Sequence, residues 1–347
     1  MINLDRYWYR KRVSWLLLLL PLEYFFKLLA KFNKRRLLKQ QYKTSCPLIV
    51  VGNISVGGTG KSPLTIALIT LFQEQGYKVG VVSRGYGSKR TDFPYRVKAT
   101  DCGTEAADEP LMIVQSTAVD LVIDPDRVRA CQYLLKHHPC DLIISDDGLQ
   151  HYKMGRDIEI AVIDGSRGLG NGHCLPVGPL REPIERLEGV DYVVVNTDHH
   201  LSNKSYTKMS IEPQGWYKVR DNQYLSLQAF AALQTQQGGK VYAIAGIGNP
   251  NRFYKTLASL NVQAYPHDFA DHQHYSAADF EFIDTERGDM LCMTEKDAVK
   301  CKHIAPDNSY YLKVAAKLET QFIDDLTKNL EDKIKKRASM TTKIPLN

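Results

Sequence analysis

A glycine-rich loop followed by Lys-Ser is the feature of this sequence with the clearest chemistry. Residues 52–63 read GNISVGGTGKSP and lie between an apolar run, 48–51, and a helix-like stretch, 64–75. Successive backbone N–H groups in such a loop can point at phosphate oxygens. Lys61 would then reach the terminal phosphates, and Ser62 would offer its hydroxyl to Mg²⁺. The pattern predicts a P-loop that handles a nucleoside triphosphate; a glycine-rich turn with a chance Lys-Ser pair is the alternative.

Two adjacent carboxylates, Asp146 and Asp147, follow a second apolar run at 142–145. In P-loop proteins an aspartate at the end of a neighbouring strand helps to hold the Mg²⁺ ion. We therefore predict that this pair contributes to a metal site. The alternative is an aspartate pair that caps a turn before Gly148.

Two further polar positions could take part in proton transfer. Asp108 stands before a helical pattern at 109–115, and from the residues alone a helix N-cap is the favoured interpretation. The run FADHQHY at 269–275 contains His272 and His274. These histidines could relay protons or could be a chance cluster, and a structural metal site is not expected because the run contains no Cys or third His.

Three arginines are candidates for phosphate contacts, because a forked guanidinium matches phosphate oxygens. Arg84 follows the second predicted strand, and ligands of open α/β sheets gather at the carboxyl ends of strands. Arg127 and Arg181 are the other two candidates.

The elements that must position these side chains alternate along the chain. Short Val- and Ile-rich runs predict strands at 48–53, 78–83, 119–123, 142–145, 158–163, 190–196, 241–246 and 289–294. Helical patterns lie at 64–75, 109–115, 126–138, 252–260 and 320–336. The alternation predicts an α/β fold, with a P-loop-containing, mostly parallel sheet flanked by helices and a second, smaller α/β domain.

The expected domain organisation has four parts. An N-terminal segment covers 1–43, a P-loop domain 44–212, a polar linker 213–227 and the smaller α/β domain 228–347. The 347 residues, 44% of them hydrophobic, are enough for such a pair of domains. The seven cysteines show no regular spacing, which argues against a disulfide framework or a zinc site.

The N-terminal segment is basic and amphipathic. Residues 1–43 hold eleven Lys/Arg and two acidic residues, a net charge of +9, whereas the whole chain carries +6. The apolar positions Leu22, Phe25, Phe26, Leu29 and Phe32 recur at helical spacing. Such a stripe with a cationic rim predicts a helix that lies on an anionic membrane surface, and a nucleic-acid-binding body is not expected. A signal peptide and an ordinary core helix are the alternatives.

Taken together, several runs resemble the tetraacyldisaccharide 4'-kinase family, the lipid A kinases of Gram-negative bacteria. The matching runs occur in the family's order between residues 50 and 300: VGNISVGGTGKSP, VGVVSRGYG, DEP, ISDDGLQHY, GNG and LPVGPLRE within 170–182, AGIGNPNRF, FADHQHY and MTEKDAVK. The resemblance covers nearly the whole chain. Glu182, which ends the LPVGPLRE run, joins the arginines as a candidate for substrate or phosphate contacts.

The resemblance implies that the γ-phosphate of ATP moves to the 4'-hydroxyl of a tetraacylated, 1-phosphorylated glucosamine disaccharide. It implies Mg²⁺ on Ser62, Asp146 and Asp147, catalytic Lys61, and a catalytic dyad of Asp108 and His272, which replaces the N-cap interpretation. It places ATP phosphate binding on Ser55, Val56, Gly57, Gly58, Thr59, Gly60, Lys61 and Ser62. It further implies a peripheral enzyme on the cytoplasmic face of the inner membrane, with a lipid substrate and no obligate protein partner.

Two other classes of protein share some of these features. A P-loop GTPase or metallochaperone-type switch would use Thr294-Glu295-Lys296-Asp297, which superficially resembles a guanine-reading element after a strand. A nucleotide-gated membrane scaffold would need only the loop and the basic helix. A kinase moves phosphate to a lipid, whereas these alternatives move it to water or not at all.

Overall fold

The computed structural model describes residues 5–9, 15–196, 206–270 and 273–341. Within these residues the strands form one 13-stranded sheet. In chain order they are β1 (Leu48–Gly52), β2 (Val79–Ser83), β3 (Tyr95–Arg96), β4 (Asp120–Ile123), β5 (Leu142–Ser145), β6 (Ile158–Asp164), β7 (Tyr192–Asn196), β8 (Thr207–Lys218), β9 (Tyr224–Leu225), β10 (Val241–Ala245), β11 (Ala264–Asp268), β12 (Met290–Thr294) and β13 (Ser309–Leu318).

The α-helices of the described residues lie before β1, after β13 and in six of the connections between strands. They are α1 (Asp5–Trp8), α2 (Leu20–Leu38), α3 (Lys61–Glu74), α4 (Gly103–Ala106), α5 (Asp108–Thr117), α6 (Arg127–His137), α7 (Leu227–Gln237), α8 (Pro250–Ser259), α9 (Glu295–Cys301) and α10 (Thr320–Thr341). Short 3₁₀ turns lie at Trp15–Leu19, Ile184–Gly189, Ala277–Phe280 and Thr285–Arg287.

The sheet is mostly parallel, as the alternation of strands and helices predicts. Its order is β11-β10-β12-β13-β8-β7-β6-β1-β5-β2-β4-β3, with β9 paired to β8. Strand β1 lies between β6 and β5 and is parallel to both, so the P-loop leaves the middle of the sheet. The antiparallel pairs are β13 with β8, β3 with β4, and β8 with β9.

The expected linker, 213–227, contains regular secondary structure. Strand β8 covers its first part and joins a first α/β unit, with strands β1 to β7, to a second one, with strands β10 to β13, in one continuous sheet. The polar side chains of β8 alternate with buried Met209 and Trp216, which is typical of a strand with one solvent-exposed face. The ladder register shifts opposite Lys313 and Val314, beside Pro213, and proline is tolerated at such a bulge.

The last helix packs on the first α/β unit, although it follows the second one in sequence. Phe322, Leu326 and Leu330 of α10 belong to the same buried cluster as Leu64 and Leu68 of α3. The guanidinium of Arg337 donates a hydrogen bond to Asp157 at 2.7 Å and another to the Thr44 carbonyl at 2.7 Å. The chain therefore returns to its first half and closes the core there.

Helix α2 is docked by one polar face and leaves an apolar face uncovered. Its buried Glu23 accepts hydrogen bonds from the Cys174 backbone N–H at 2.9 Å and pairs with His173 at 2.8 Å. Phe26 packs inward, whereas Leu22, Phe25, Leu29 and Phe32 are exposed, so Phe26 does not share the outer face that the sequence assigned to it. No helix among the described residues is long and apolar enough to cross a bilayer.

Candidate active site

The P-loop links the carboxyl end of β1 to the first turn of α3. Gly57 and Gly60 have φ angles of 95° and 92°, a left-handed conformation that glycine adopts without strain. A Cβ on Gly60 would also lie 2.3 Å from the Asn196 side-chain nitrogen. Helix α3 begins at Lys61, so its positive N-terminal end faces the space enclosed by the loop.

Two basic side chains hold the carboxylate of Asp147 in this space. Lys61 Nζ lies 3.5 Å from Asp147 Oδ1, and Arg181 Nη1 lies 3.3 Å from Asp147 Oδ2. Burial alone would raise the pKa of Asp147, but Lys61 and Arg181 outweigh it and hold that pKa below its usual range. Asp147 is therefore an ionised group at neutral pH.

The neighbouring Asp146 has the opposite character. Its carboxylate is buried and accepts hydrogen bonds from the hydroxyls of Thr65 at 3.3 Å and Ser83 at 3.4 Å. Burial, followed by repulsion from Glu109 and Asp147, raises the pKa of Asp146 to about 7. The two adjacent carboxylates thus differ in their affinity for protons.

The donor set suits Mg²⁺ only in company with a nucleotide. Among the described residues, no three His, Cys, Asp or Glu side chains are placed to hold a metal by themselves. Mg²⁺ in nucleotide sites is usually held by one or two carboxylates together with substrate phosphates. Asp146, Asp147 and the Ser62 hydroxyl at the start of α3 provide hard oxygen ligands of that kind. Burial is the main cause of the raised pKa of Asp146, and the negative charges of Glu109 and Asp147, which a cation would neutralise, add to it.

A cleft of about 770 Å³ opens in front of these groups. One wall consists of the P-loop from Val56 to Pro63, together with Asp146 and Asp147. The other wall comes from the second α/β unit and includes the beginning of α8 and of α9. Both α/β units therefore build the site.

Residues 245–253, the AGIGNPNRF run, support the P-loop from the far wall although none of them was predicted as a site residue. Arg252 donates to the side-chain oxygen of Asn196 at 2.7 Å, and Asn196 donates to the Thr59 carbonyl at 3.2 Å. Asn249 donates to Asp164 at 3.1 Å. This relay has no local sequence signal, because its members come from three distant segments.

Asp108 is the first residue of α5 and is not its N-cap. The N-cap is Ala107, which has a φ of 65° and makes no side-chain cap hydrogen bond. Asp108 Oδ2 lies 3.6 Å from Lys300 Nζ, and the adjacent Glu109 lies 3.2 Å from Lys296 Nζ. His272, the other half of the predicted dyad, lies outside the described residues.

The remaining candidates divide into three groups. Arg84 is exposed and lines the cleft together with Arg181. Arg127 is buried, donates to the Asp124 carbonyl at 3.2 Å, and has a pKa lowered by burial to about 10. Ser55 lies behind the cleft, where it pairs with Leu180, and does not line the cleft as the other P-loop candidates do.

Glu182 lies in a buried hydrogen-bonded network under α2. It accepts from the Tyr152 hydroxyl and from Gln150 at 2.9 Å, and it lies 3.6 Å from Arg186 and 4.0 Å from Lys34. It does not line the cleft. We therefore assign Glu182 a structural role, since its oxygens are committed to protein donors.

In the Thr294–Asp297 run, the aspartate Asp297 also has a structural role. The buried carboxylate of Asp297 accepts hydrogen bonds from the Gly246 N–H at 3.1 Å and from the Thr294 hydroxyl at 2.6 Å. The Tyr275 hydroxyl donates a third at 2.9 Å. A guanine-reading aspartate would need free oxygens toward the cleft, so this geometry disfavours the GTPase interpretation.

The chain is similar over nearly its whole length to named enzymes. A family model for LpxK, tetraacyldisaccharide-1-P 4'-kinase, matches residues 15–331. The tetraacyldisaccharide 4'-kinase of Ectopseudomonas mendocina (strain ymp) is 47% identical over 326 residues, which cover 93% of this chain and 95% of that protein. That of Stutzerimonas stutzeri (strain A1501) is 45% identical over 337 residues, with 95% and 98% covered.

A solved structure shows the same fold. The crystal structure of LpxK from Aquifex aeolicus, determined in complex with ATP, superimposes with a TM-score of 0.75 and 27% sequence identity. The match covers 92% of this chain and 99% of that one. Together, the sequence matches and the shared fold confirm the resemblance, and the chain belongs to the tetraacyldisaccharide-1-P 4'-kinase family.

Proposed function

We propose that this protein transfers the γ-phosphate of ATP to the 4'-hydroxyl of a tetraacyldisaccharide 1-phosphate. The observation that carries the proposal is the single cleft in which the P-loop faces Asp146, Asp147 and Glu109. Phosphoryl transfer depends mainly on positioning and on neutralising charge, and a P-loop opposite carboxylates serves both needs. The ATP complex of the Aquifex relative supports the choice of nucleotide.

The proposed reaction assigns a role to each side chain. Lys61 contacts the terminal phosphates, and Asp146, Asp147 and Ser62 would hold Mg²⁺, which when bound would neutralise charge on the transferring group. Asp108, oriented by His272, accepts the proton of the 4'-hydroxyl as its oxygen attacks phosphorus. The bond between the γ-phosphorus and the bridging oxygen breaks, and ADP leaves.

We further propose that α2 holds the enzyme at the cytoplasmic face of the inner membrane. Its outer face exposes apolar side chains beside basic ones, which is typical of a helix that binds an anionic lipid surface. A four-chain lipid stays in the membrane while ATP is dissolved, so an enzyme that joins them needs access to both. The curated relatives come from Gram-negative bacteria, which fits this location.

One incubation tests the proposed activity. The protein is mixed with ATP, Mg²⁺ and detergent-dispersed tetraacyldisaccharide 1-phosphate, and the lipid is analysed by mass for one added phosphate. Lys61→Ala, purified in parallel, controls for contaminating kinases. Release of inorganic phosphate without phosphorylated lipid would instead support a switch-type NTPase.

A further inference from the structure

Helix α9 contacts the start of α5 through two lysines. Lys296 and Lys300 are four residues apart and so project from one face of α9. Lys296 Nζ lies 3.2 Å from Glu109, and Lys300 Nζ lies 3.6 Å from Asp108. These adjacent acids of the first α/β unit are therefore each held by a cation from the second unit.

The environment of Lys300 distinguishes it from a surface lysine. Its side chain is 8% exposed, and its two carboxylate neighbours, Asp108 and Asp297, are 11% and 0% exposed. Its ammonium lies 3.3 Å from Asp297 and 4.9 Å from the centre of the Tyr275 ring. A buried cation is costly unless it is compensated, so a lysine enclosed by two acids and a ring face has a defined position.

Asp297 gives Lys300 a fixed partner. The Asp297 carboxylate is anchored by the Gly246 N–H and by the hydroxyls of Thr294 and Tyr275. Because these donors lie on three separate segments, the carboxylate is unable to turn away without breaking several contacts. Because Lys300 contacts both Asp297 and Asp108, the fixed Asp297 carboxylate also limits the position of Asp108.

The ammonium acts on Asp108 mainly as a charge. Lys300 Nζ has no hydrogen-bond partner among the described side chains and backbone groups, and its ion-pair distances exceed usual hydrogen-bond lengths. A Cβ added to Gly103 would lie 3.2 Å from Asp108 Oδ1 and 3.4 Å from Lys300 Cγ, so the start of α4 packs against both side chains. Asp108 is thus closely packed by α4 and α9.

We propose that Lys300 is a positioning residue that holds the Asp108 carboxylate in the orientation that faces the substrate hydroxyl. This inference rests on the proposed function, in which Asp108 accepts the proton. A general base must hold its oxygen within hydrogen-bond reach of the hydroxyl, and a fixed cation 3.6 Å from Asp108 Oδ2 limits where that carboxylate can lie. The active site is then completed by a residue of the second α/β unit.

Steady-state kinetics of three single variants test the proposal. Lys300→Met should lower kcat by about 10²-fold, the loss expected when a catalytic group is misplaced, with the KM for ATP within about twofold of wild type. Lys300→Arg, which keeps the charge, should recover a large part of that loss. Lys302→Met, an exposed lysine at the end of the same helix, is the matched control and should keep the wild-type kcat.

A double-mutant comparison separates positioning from general stability. In an Asp108→Asn background, Lys300→Met should lower kcat by less than about twofold more, because groups that act as a unit are not additive. If Lys300→Met lowers kcat by the same factor in the wild-type and in the Asp108→Asn background, the positioning role is overturned. If Lys300→Met does not fold, the same comparison uses Lys300→Met combined with Asp297→Asn, which removes both buried charges.

The two proposals fail in different ways. If Asp108→Asn is inactive and Lys300→Met keeps the wild-type kcat, the positioning role is overturned and the proposed function stands. If Asp108→Asn keeps the wild-type rate, the assignment of Asp108 as base is overturned and the role of Lys300 falls with it. If wild-type protein adds no phosphate to the lipid, the proposed function itself is overturned.

Discussion

Lys61 Nζ lies 3.5 Å from Asp147 Oδ1, so the P-loop lysine and the carboxylate at the end of β5 form an ion pair across the phosphate-binding space. Asp147 follows β5 and has a φ of 47°, an uncommon conformation for a residue other than glycine. Arg181 contacts the same carboxylate at 3.3 Å. The pair places one cation and one anion where phosphate and metal must bind.

We expect Lys61→Ala to lose about 10²- to 10³-fold in kcat, because it removes a charge that stabilises the transition state. The fold should persist, since Arg181 still compensates Asp147. Initial rates of lipid phosphorylation and thermal unfolding measure the two effects. Lys78→Ala, an exposed lysine just before β2, serves as the control. A Lys61→Ala protein that keeps more than about a tenth of the wild-type rate would contradict the P-loop assignment.

We expect Asp108→Ala and His272→Ala each to lower kcat by about 10²-fold, and the double variant to be little worse than the worse single one. His274→Ala, the second histidine of the same run and an exposed one, is the matched control and should keep the wild-type rate. Losses that multiply in the double variant would mean that the two residues do not act as a dyad.

The raised pKa of Asp146 predicts a pH-dependent stability. The pKa is about 7 in the folded protein and about 3.9 for an unperturbed aspartate, so the folded state binds more protons between these values. The free energy of unfolding should therefore fall as pH rises from about 4 to about 7. Asp146→Asn removes this group and should flatten the dependence.

Thermal unfolding of both proteins between pH 5 and pH 8, without nucleotide or Mg²⁺, measures the difference. The gain in Tm of Asp146→Asn over wild type should grow with pH. Asp92→Asn is the control, because Asp92 is exposed and its pKa, lowered by Arg90, places its titration below this window. Parallel pH curves for wild type and Asp146→Asn would show that Asp146 is ionised throughout.

The sequence predicted features whose signals are local. The P-loop and the Asp146-Asp147 pair each need only a strand, a turn and a few side chains, and the structure brings them to one cleft. Glu182 is different, because Arg186 is a local partner four residues later, whereas Tyr152 and Lys34 come from separate segments. The local pair alone does not show that the charge of Glu182 is already satisfied within the protein.

The linker prediction shows a second limit of local sequence patterns, which do not reveal long-range strand pairing. A polar stretch with a proline and a glycine is typical of a loop, but β8 carries both beside a bulge in a long antiparallel pair. Long-range pairing with β13 outweighs the weak local preference. In the same way, the periodicity of α10 predicted a helix without indicating which α/β unit it would cover.

The exposed face of α2 leads to a prediction about the membrane. Phe25, Leu29 and Phe32 are 60%, 53% and 69% exposed, whereas Phe26 packs against the core. Replacing these three exposed residues with Ser should release the protein from anionic liposomes and raise the apparent KM for lipid by about tenfold. The KM for ATP should change little, because the P-loop is untouched. Sedimentation with liposomes and steady-state kinetics measure these effects.

The choice of variants separates membrane binding from folding. Phe26→Ser should lower the Tm, since it opens a cavity under α2, whereas the three-residue variant should not. Tyr265→Ser, an equally exposed aromatic residue on β11, is the control for loss of apolar surface elsewhere. Replacing the exposed Lys31, Arg35 and Arg36 with Gln should weaken liposome binding mainly at low salt, because screening already reduces the attraction at high salt. If the three-residue Ser variant stays on liposomes with an unchanged lipid KM, α2 does not anchor the enzyme, and its apolar face must serve another purpose.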